Sequence, residues 1–136
     1  MIRVTAAVLE RAGRILIAKR PEGDRLAGLW EFPGGKIEEG ESPRDCLARE
    51  LHEEFEITAE IGEFLVAHVH RYPHVEIELL SYRATHVAGV FELRDHDEVR
   101  WVLPEELSEY PFAPADLPTV ERLQSQCQPV AARANG

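Results

Sequence analysis

Cysteine is scarce in this chain. Its 136 residues hold 2, Cys46 and Cys127, too far apart to suggest a disulfide framework or a zinc-ligand set. Free thiols in a reducing, cytoplasmic setting are expected. Long apolar runs are missing too: none approaches the ~20 residues that a membrane-spanning helix needs. The N-terminus has no basic, apolar and small-residue order of the signal-peptide kind. Positive charge is also short. Lys and Arg number 15 against 25 Asp and Glu, for a formal net charge of -10. Non-specific binding to nucleic acid draws on Lys and Arg to replace phosphate counterions, so the acidic balance argues against it and no duplex partner is expected. A free nucleotide is a different case, provided that metal ions mediate the contact.

What is present suits one globular domain. Hydrophobic residues make up 44% and charged residues 29%. The domain is expected over residues 1–127, with a small, polar, disordered tail at 128–136. Ile2–Glu10 and Arg14–Arg20 predict a hairpin turned at Arg11-Ala12-Gly13. A loop follows, then a short strand at Trp30–Phe32. Ser42-Pro43 is a helix start, with serine as cap and proline in the first turn. The helix is expected over Pro43–Phe55, with Leu47, Leu51 and Phe55 as its core stripe. Two long strands, Glu60–Tyr72 and His74–Val87, precede a strand ending at Val102. A closing helix is predicted from Pro114. Strands mixed with two separated helices indicate an α+β or α/β sandwich.

The acids are concentrated. From Glu38 to Glu63 there are 10, opposed by Arg44 and Arg49, so this window carries -8 of the net charge. Glu50, Glu53 and Glu54 stand at i, i+3 and i+4, one face of a helix. Like charges at that spacing destabilise a helix by a few tenths of a kcal/mol per pair. Either the face is merely solvated, or its oxygens hold a hard cation such as Mg²⁺ or Mn²⁺. Gly34-Gly35 lets the preceding backbone approach closely. Glu41 lies in the same loop, and Arg49 can orient neighbouring carboxylates.

From Gly35 through Glu41 to Arg49-Glu50-Leu51-His52-Glu53-Glu54-Phe55-Glu56-Ile57, the stretch resembles the signature of the Nudix family, G-x5-E-x7-R-E-U-x-E-E-x-G-U, with U aliphatic. Eight of the nine specified positions match. The departure is Glu56, where the family has a helix-ending glycine. Leu29–Lys36 and Tyr110–Pro118 are similar to segments of the MutT-type branch, especially the bacterial CTP and oxidised-nucleotide (8-oxo-dGTP) pyrophosphohydrolases.

The resemblance implies an α/β/α sandwich with a mixed β-sheet. It also implies Mg²⁺-dependent hydrolysis of a nucleoside triphosphate to monophosphate and pyrophosphate, by a monomer or homodimer. It makes Glu50, Glu53, Glu54 and the Gly35 carbonyl the metal ligands, with Arg49 orienting them and Glu41 behind. The general base is open among Glu53, Glu50 and Glu98. Arg20 is expected at the substrate phosphates. Phe32, Tyr72 and Asp116 are expected at the base, although Asp116 could equally be a helix cap. Two alternatives stand beside this: a Nudix hydrolase of another nucleoside diphosphate derivative, and a non-catalytic nucleotide-binding module.

Overall fold

A computed structural model describes residues 1–94 and 96–135, with side chains up to Gln126. The first strand, β1 (Ile2–Arg11), lies inside the sheet. Its residues alternate between two cores: Ala6 and Val8 enter one, Ala7 and Leu9 the other. A strand covered on both faces needs apolar residues at every position, which this segment supplies. Ala12 and Gly13, both at positive φ (52° and 78°), form the two-residue turn into β2 (Arg14–Lys19). Two more strands lie on β2: β3 (Trp30–Glu31) and β6 (Glu98–Val102), both antiparallel. On its other edge β1 runs parallel to β5 (Val75–Ala88), and β5 pairs antiparallel with β4 (Thr58–Tyr72). The sheet is therefore mixed.

The helix α1 (Pro43–Phe55) covers one face through Leu47, Leu51 and Phe55, which pack with Leu9, Leu16 and Tyr82. Burying each of those three helix side chains contributes about 1.5–3 kcal/mol. That outweighs like-charge repulsion of a few tenths per pair, so the crowded helix is held by its apolar side. The closing helix α2 (Leu117–Asn135) covers the opposite face through Val120 and Leu123. The result is the expected α/β/α sandwich. Among the described residues, no helix is long and apolar enough to cross a membrane.

Some boundaries differ from expectation. Pro114–Asp116 forms a 3-10 turn, with the Asp116 N–H donating to the Ala113 carbonyl, and α2 starts only at Leu117. β4 starts at Thr58 because Thr58 pairs with Ala88, a partner distant in sequence. The tail expected at 128–136 falls on positions whose side chains lie outside the described residues, and the helical backbone runs to Asn135.

Both ends of α1 follow local chemistry. Ser42 Oγ accepts the Asp45 N–H at 3.1 Å, and Pro43 occupies the first turn. At the far end Glu56 takes the left-handed conformation (φ 57°, ψ 32°) that the family's glycine would adopt. Its N–H still donates to the His52 carbonyl at 2.9 Å. Glutamate there costs about 1–2 kcal/mol relative to glycine, and an exposed ion pair with Arg94 (2.8 Å) offsets part of it. The helix end is preserved by a local adjustment.

Candidate active site

The loop before α1 is pinned to β1. On the β2 side, β1 pairs with β2 only at Glu10 and Arg11. Nearer its start that side is filled by the loop. The Ala7 N–H donates to the Pro33 carbonyl (2.7 Å), Thr5 to Gly35 (2.8 Å), and Ile37 to Arg3 (2.9 Å). Side chains would prevent this fit. A Cβ at Gly34 would lie 1.9 Å from the Thr5 carbonyl oxygen, and one at Gly35 would lie 2.3 Å from Glu50 Cδ. The Gly35 carbonyl accepts from Thr5, from both its N–H and its hydroxyl.

Arg49 organises the acids. Nε and Nη2 grip the Glu41 carboxylate at 2.7 and 2.9 Å. Nη1 donates to Glu50 (3.0 Å) and Glu53 (3.1 Å), and Nη2 also reaches the Lys36 carbonyl. Charge-assisted bonds of this kind fix geometry as well as charge. The hydrogen bonds from Arg49, and then the Glu38 N–H, pull the Glu41 carboxyl down to about 2. The same partners keep Arg49 firmly protonated.

The three helix glutamates differ in exposure. Glu53 is 58% exposed, Glu50 17%, and Glu54 only 7%. Glu50 and Glu53 meet at Arg49. Glu54 turns inward toward His96 Nδ1, 3.7 Å away. Among the described residues, no three His, Cys, Asp or Glu side chains stand together as a formed metal site. The donor set nevertheless suits a hard divalent cation: carboxylate oxygens, with the Glu50 carboxylate packed directly against Gly35.

Beside the loop lies a cavity of about 360 Å³, with Arg20, Glu31, Phe32, Gly35, Tyr72 and Asp116 in its wall. Phe32 is buried and stacks on Phe112 at 5.2 Å. The Tyr72 hydroxyl accepts the Ala115 N–H at 3.1 Å. Asp116 is 5% exposed. Burial, and then the charge of Glu31, push its carboxyl well above the usual range, against a Phe32 backbone hydrogen bond and the charge of Arg20.

Arg20 is held on two sides, by Asp24 (2.9 and 2.8 Å) and by Glu31 Oε1 (2.5 Å). Burial works against its charge, and the two acids more than restore it. Glu98 is not among the residues that line this cavity. Its carboxylate accepts from Arg100 Nε at 2.6 Å, and the Arg100 guanidinium lies over Trp30, in the core on the α2 side of the sheet. The fold thus gathers Glu41, Glu50 and Glu53 around the Arg49 guanidinium, with Gly35 against Glu50. It gathers Arg20, Phe32, Tyr72 and Asp116 around one cavity.

Sequence reading passed over Glu31 and His96. A signal existed for Glu31: it is a lone acid between two aromatics on a short buried strand. His96 sits in a polar run without periodicity, and nothing local marks it.

Residues 4–122 match the NUDIX domain family. The chain is 44% identical to the CTP pyrophosphohydrolase of Escherichia coli over 121 residues, covering 89% of this chain and 90% of that protein. It is 33% identical to the 8-oxo-dGTP diphosphatase of Haemophilus influenzae over 127 residues, covering 93% of each. The crystal structure of the MutT protein from Methanosarcina mazei superposes with a TM-score of 0.81 at 27% identity, covering 92% of this chain and 94% of that one. With its signature loop and helix folded around Arg49, this chain belongs to the Nudix hydrolases.

Proposed function

We propose that the chain hydrolyses a nucleoside triphosphate to the monophosphate and pyrophosphate, taking (d)CTP or an oxidised nucleotide such as 8-oxo-dGTP. The observation that carries this reading is the position of Gly35. It lines the cavity and it also abuts the Glu50 carboxylate. A base seated in the cavity would therefore extend its phosphates toward the acidic helix. The names of the relatives in Escherichia coli and Haemophilus influenzae point to the same two substrates.

The geometry supports a role for each residue. Phe32 and Tyr72 offer aromatic surface to the base. Asp116 accepts from an exocyclic amine when ionised and donates to a keto oxygen when neutral. Its burial raises the pKa and so favours the neutral form. Arg20 has five N–H donors, three of them taken by Asp24 and Glu31. The remaining two are available to a phosphate. Arg49 fixes Glu50 and Glu53 relative to each other. Glu53, the most exposed of the three, is best placed to take a proton from water. Mg²⁺, or Mn²⁺, held by Glu50, Glu53 and Glu54, would supply charge neutralisation and acidify the attacking water.

The test is a panel of CTP, dCTP, 5-methyl-dCTP, dGTP, 8-oxo-dGTP and 2-hydroxy-dATP with Mg²⁺, scored for pyrophosphate release. Turnover of at least one, lost in a folded Glu53→Gln variant, is expected. No turnover of any overturns the proposal.

A further inference from the structure

One buried side chain joins the cavity wall to the acidic helix. The His96 side chain is 2% exposed and its ring stacks on Phe55, with centroids 5.6 Å apart and planes 7° from parallel. His96 Nε2 lies 2.7 Å from Glu31 Oε2. A carboxylate accepts, so Nε2–H is the donor. The other oxygen of Glu31 is held by Arg20. On the far side of the ring, Nδ1 is buried, lacks a hydrogen-bond partner, and faces Glu54 Oε2 at 3.7 Å. Arg20, Glu31, His96 and Glu54 therefore form a continuous line from the cavity to the inward-turned helix carboxylate.

We infer that His96 is a positioning residue that orients Glu54 for the metal and couples that orientation to occupancy of the cavity. The inference rests on the proposed pyrophosphohydrolase site. Stacking on Phe55 fixes the plane of the ring, and Glu31 fixes its rotation within that plane. Nδ1 is then held toward Glu54; because Glu54 is also a carboxylate, the hydrogen bond that a small movement closes is the Nδ1–H donation of a doubly protonated ring. Partners that orient a metal-binding side chain in this way set metal affinity by about 10–100-fold. Because the line is shared, a nucleotide that shifts Arg20 and Glu31 is felt at Glu54, and the coupling is reciprocal.

Two isosteres separate the ends of the ring. Glutamine places its amide nitrogen near the position of Nε2 and keeps the bond to Glu31. Asparagine places its own near Nδ1 and keeps the group that faces Glu54. Mn²⁺ affinity of the free protein is measured by electron paramagnetic resonance, alongside melting temperature. His96→Gln should weaken Mn²⁺ binding about tenfold, with the fold intact. His96→Asn should bind Mn²⁺ near the wild-type level, and should raise KM more than it lowers kcat. Unchanged Mn²⁺ affinity in both variants, with only the melting temperature lowered, overturns the inference. The metal titration needs no turnover. A wild-type protein that binds Mn²⁺ but hydrolyses no triphosphate would refute the substrate reading while the His96 comparison still gives its answer.

Discussion

The α-carbon of Gly35 rests against the Glu50 carboxylate, so that an added Cβ would sit 2.3 Å from Cδ and 2.4 Å from Oε1. The neighbouring Gly34 meets backbone instead, at 1.9 Å from the Thr5 oxygen. The two glycines should therefore fail differently. In Gly35→Ala the carboxylate swings away at modest stability cost, and misplacing a catalytic group by about 1 Å lowers turnover on the order of 100-fold. In Gly34→Ala the loop must leave β1, with a loss of about 3 kcal/mol or more. Urea unfolding together with pyrophosphate release distinguishes the two, and equal stability of both variants would contradict this account.

Glu56→Gly should stabilise the chain. Relief of left-handed strain contributes about 1–2 kcal/mol. Loss of the exposed Arg94 pair costs about 0.2–1 kcal/mol. The net gain is below about 2 kcal/mol, a rise of a few degrees in melting temperature. Activity should be retained, because Glu56 lies past the carboxylates bound by Arg49. A lower melting temperature would show that the ion pair outweighs the strain.

Acid should test the Glu41–Arg49 pair. The Glu41 carboxyl is held at about 2, below its ordinary 4.5. Its contribution to stability is complete above the ordinary value and is lost as pH falls from there through 2. Arg49→Met removes the cause, so stability of the variant should fall less steeply than that of the parent between pH 5 and 2. Parallel slopes in denaturant titrations would assign the shift to another group.

Asp116 should show the opposite sign. Its raised carboxyl favours the fold while neutral, and that advantage is lost as pH rises through the folded value. Asp116→Asn should accordingly be more stable than the parent at pH 8, with the gap narrowing toward pH 4. The same substitution should reorder preference among CTP, dGTP and 8-oxo-dGTP. A uniform loss across all three would remove Asp116 from base recognition.

The helix was legible to the residue because its determinants are local: Ser42, Pro43 and the Leu47–Leu51–Phe55 stripe. The family was legible for the same reason, since the signature is one continuous segment. The cavity wall was legible only through resemblance, because Arg20, Phe32, Tyr72 and Asp116 sit on four separate segments. The contact between His96 and Glu31 was not legible at all. It depends on β3 and β6 both pairing with β2, where Ala18 faces Glu31 and Lys19 faces Glu98. The position of Glu98 was likewise hidden, because which side of a strand faces which helix is set by the sheet.

The parallel pairing of β1 with β5 has a consequence for how the chain comes to be folded. Ile2 faces Ile77 and Arg3 faces Glu78, a separation of 75 residues. The acidic helix and its loop lie wholly inside that span. Closing so long a segment must be accomplished before the centre of the sheet rewards it, which slows folding. During synthesis β1 would wait for β5 to be made, so the carboxylates would emerge from the ribosome well before the sheet that supports them is complete.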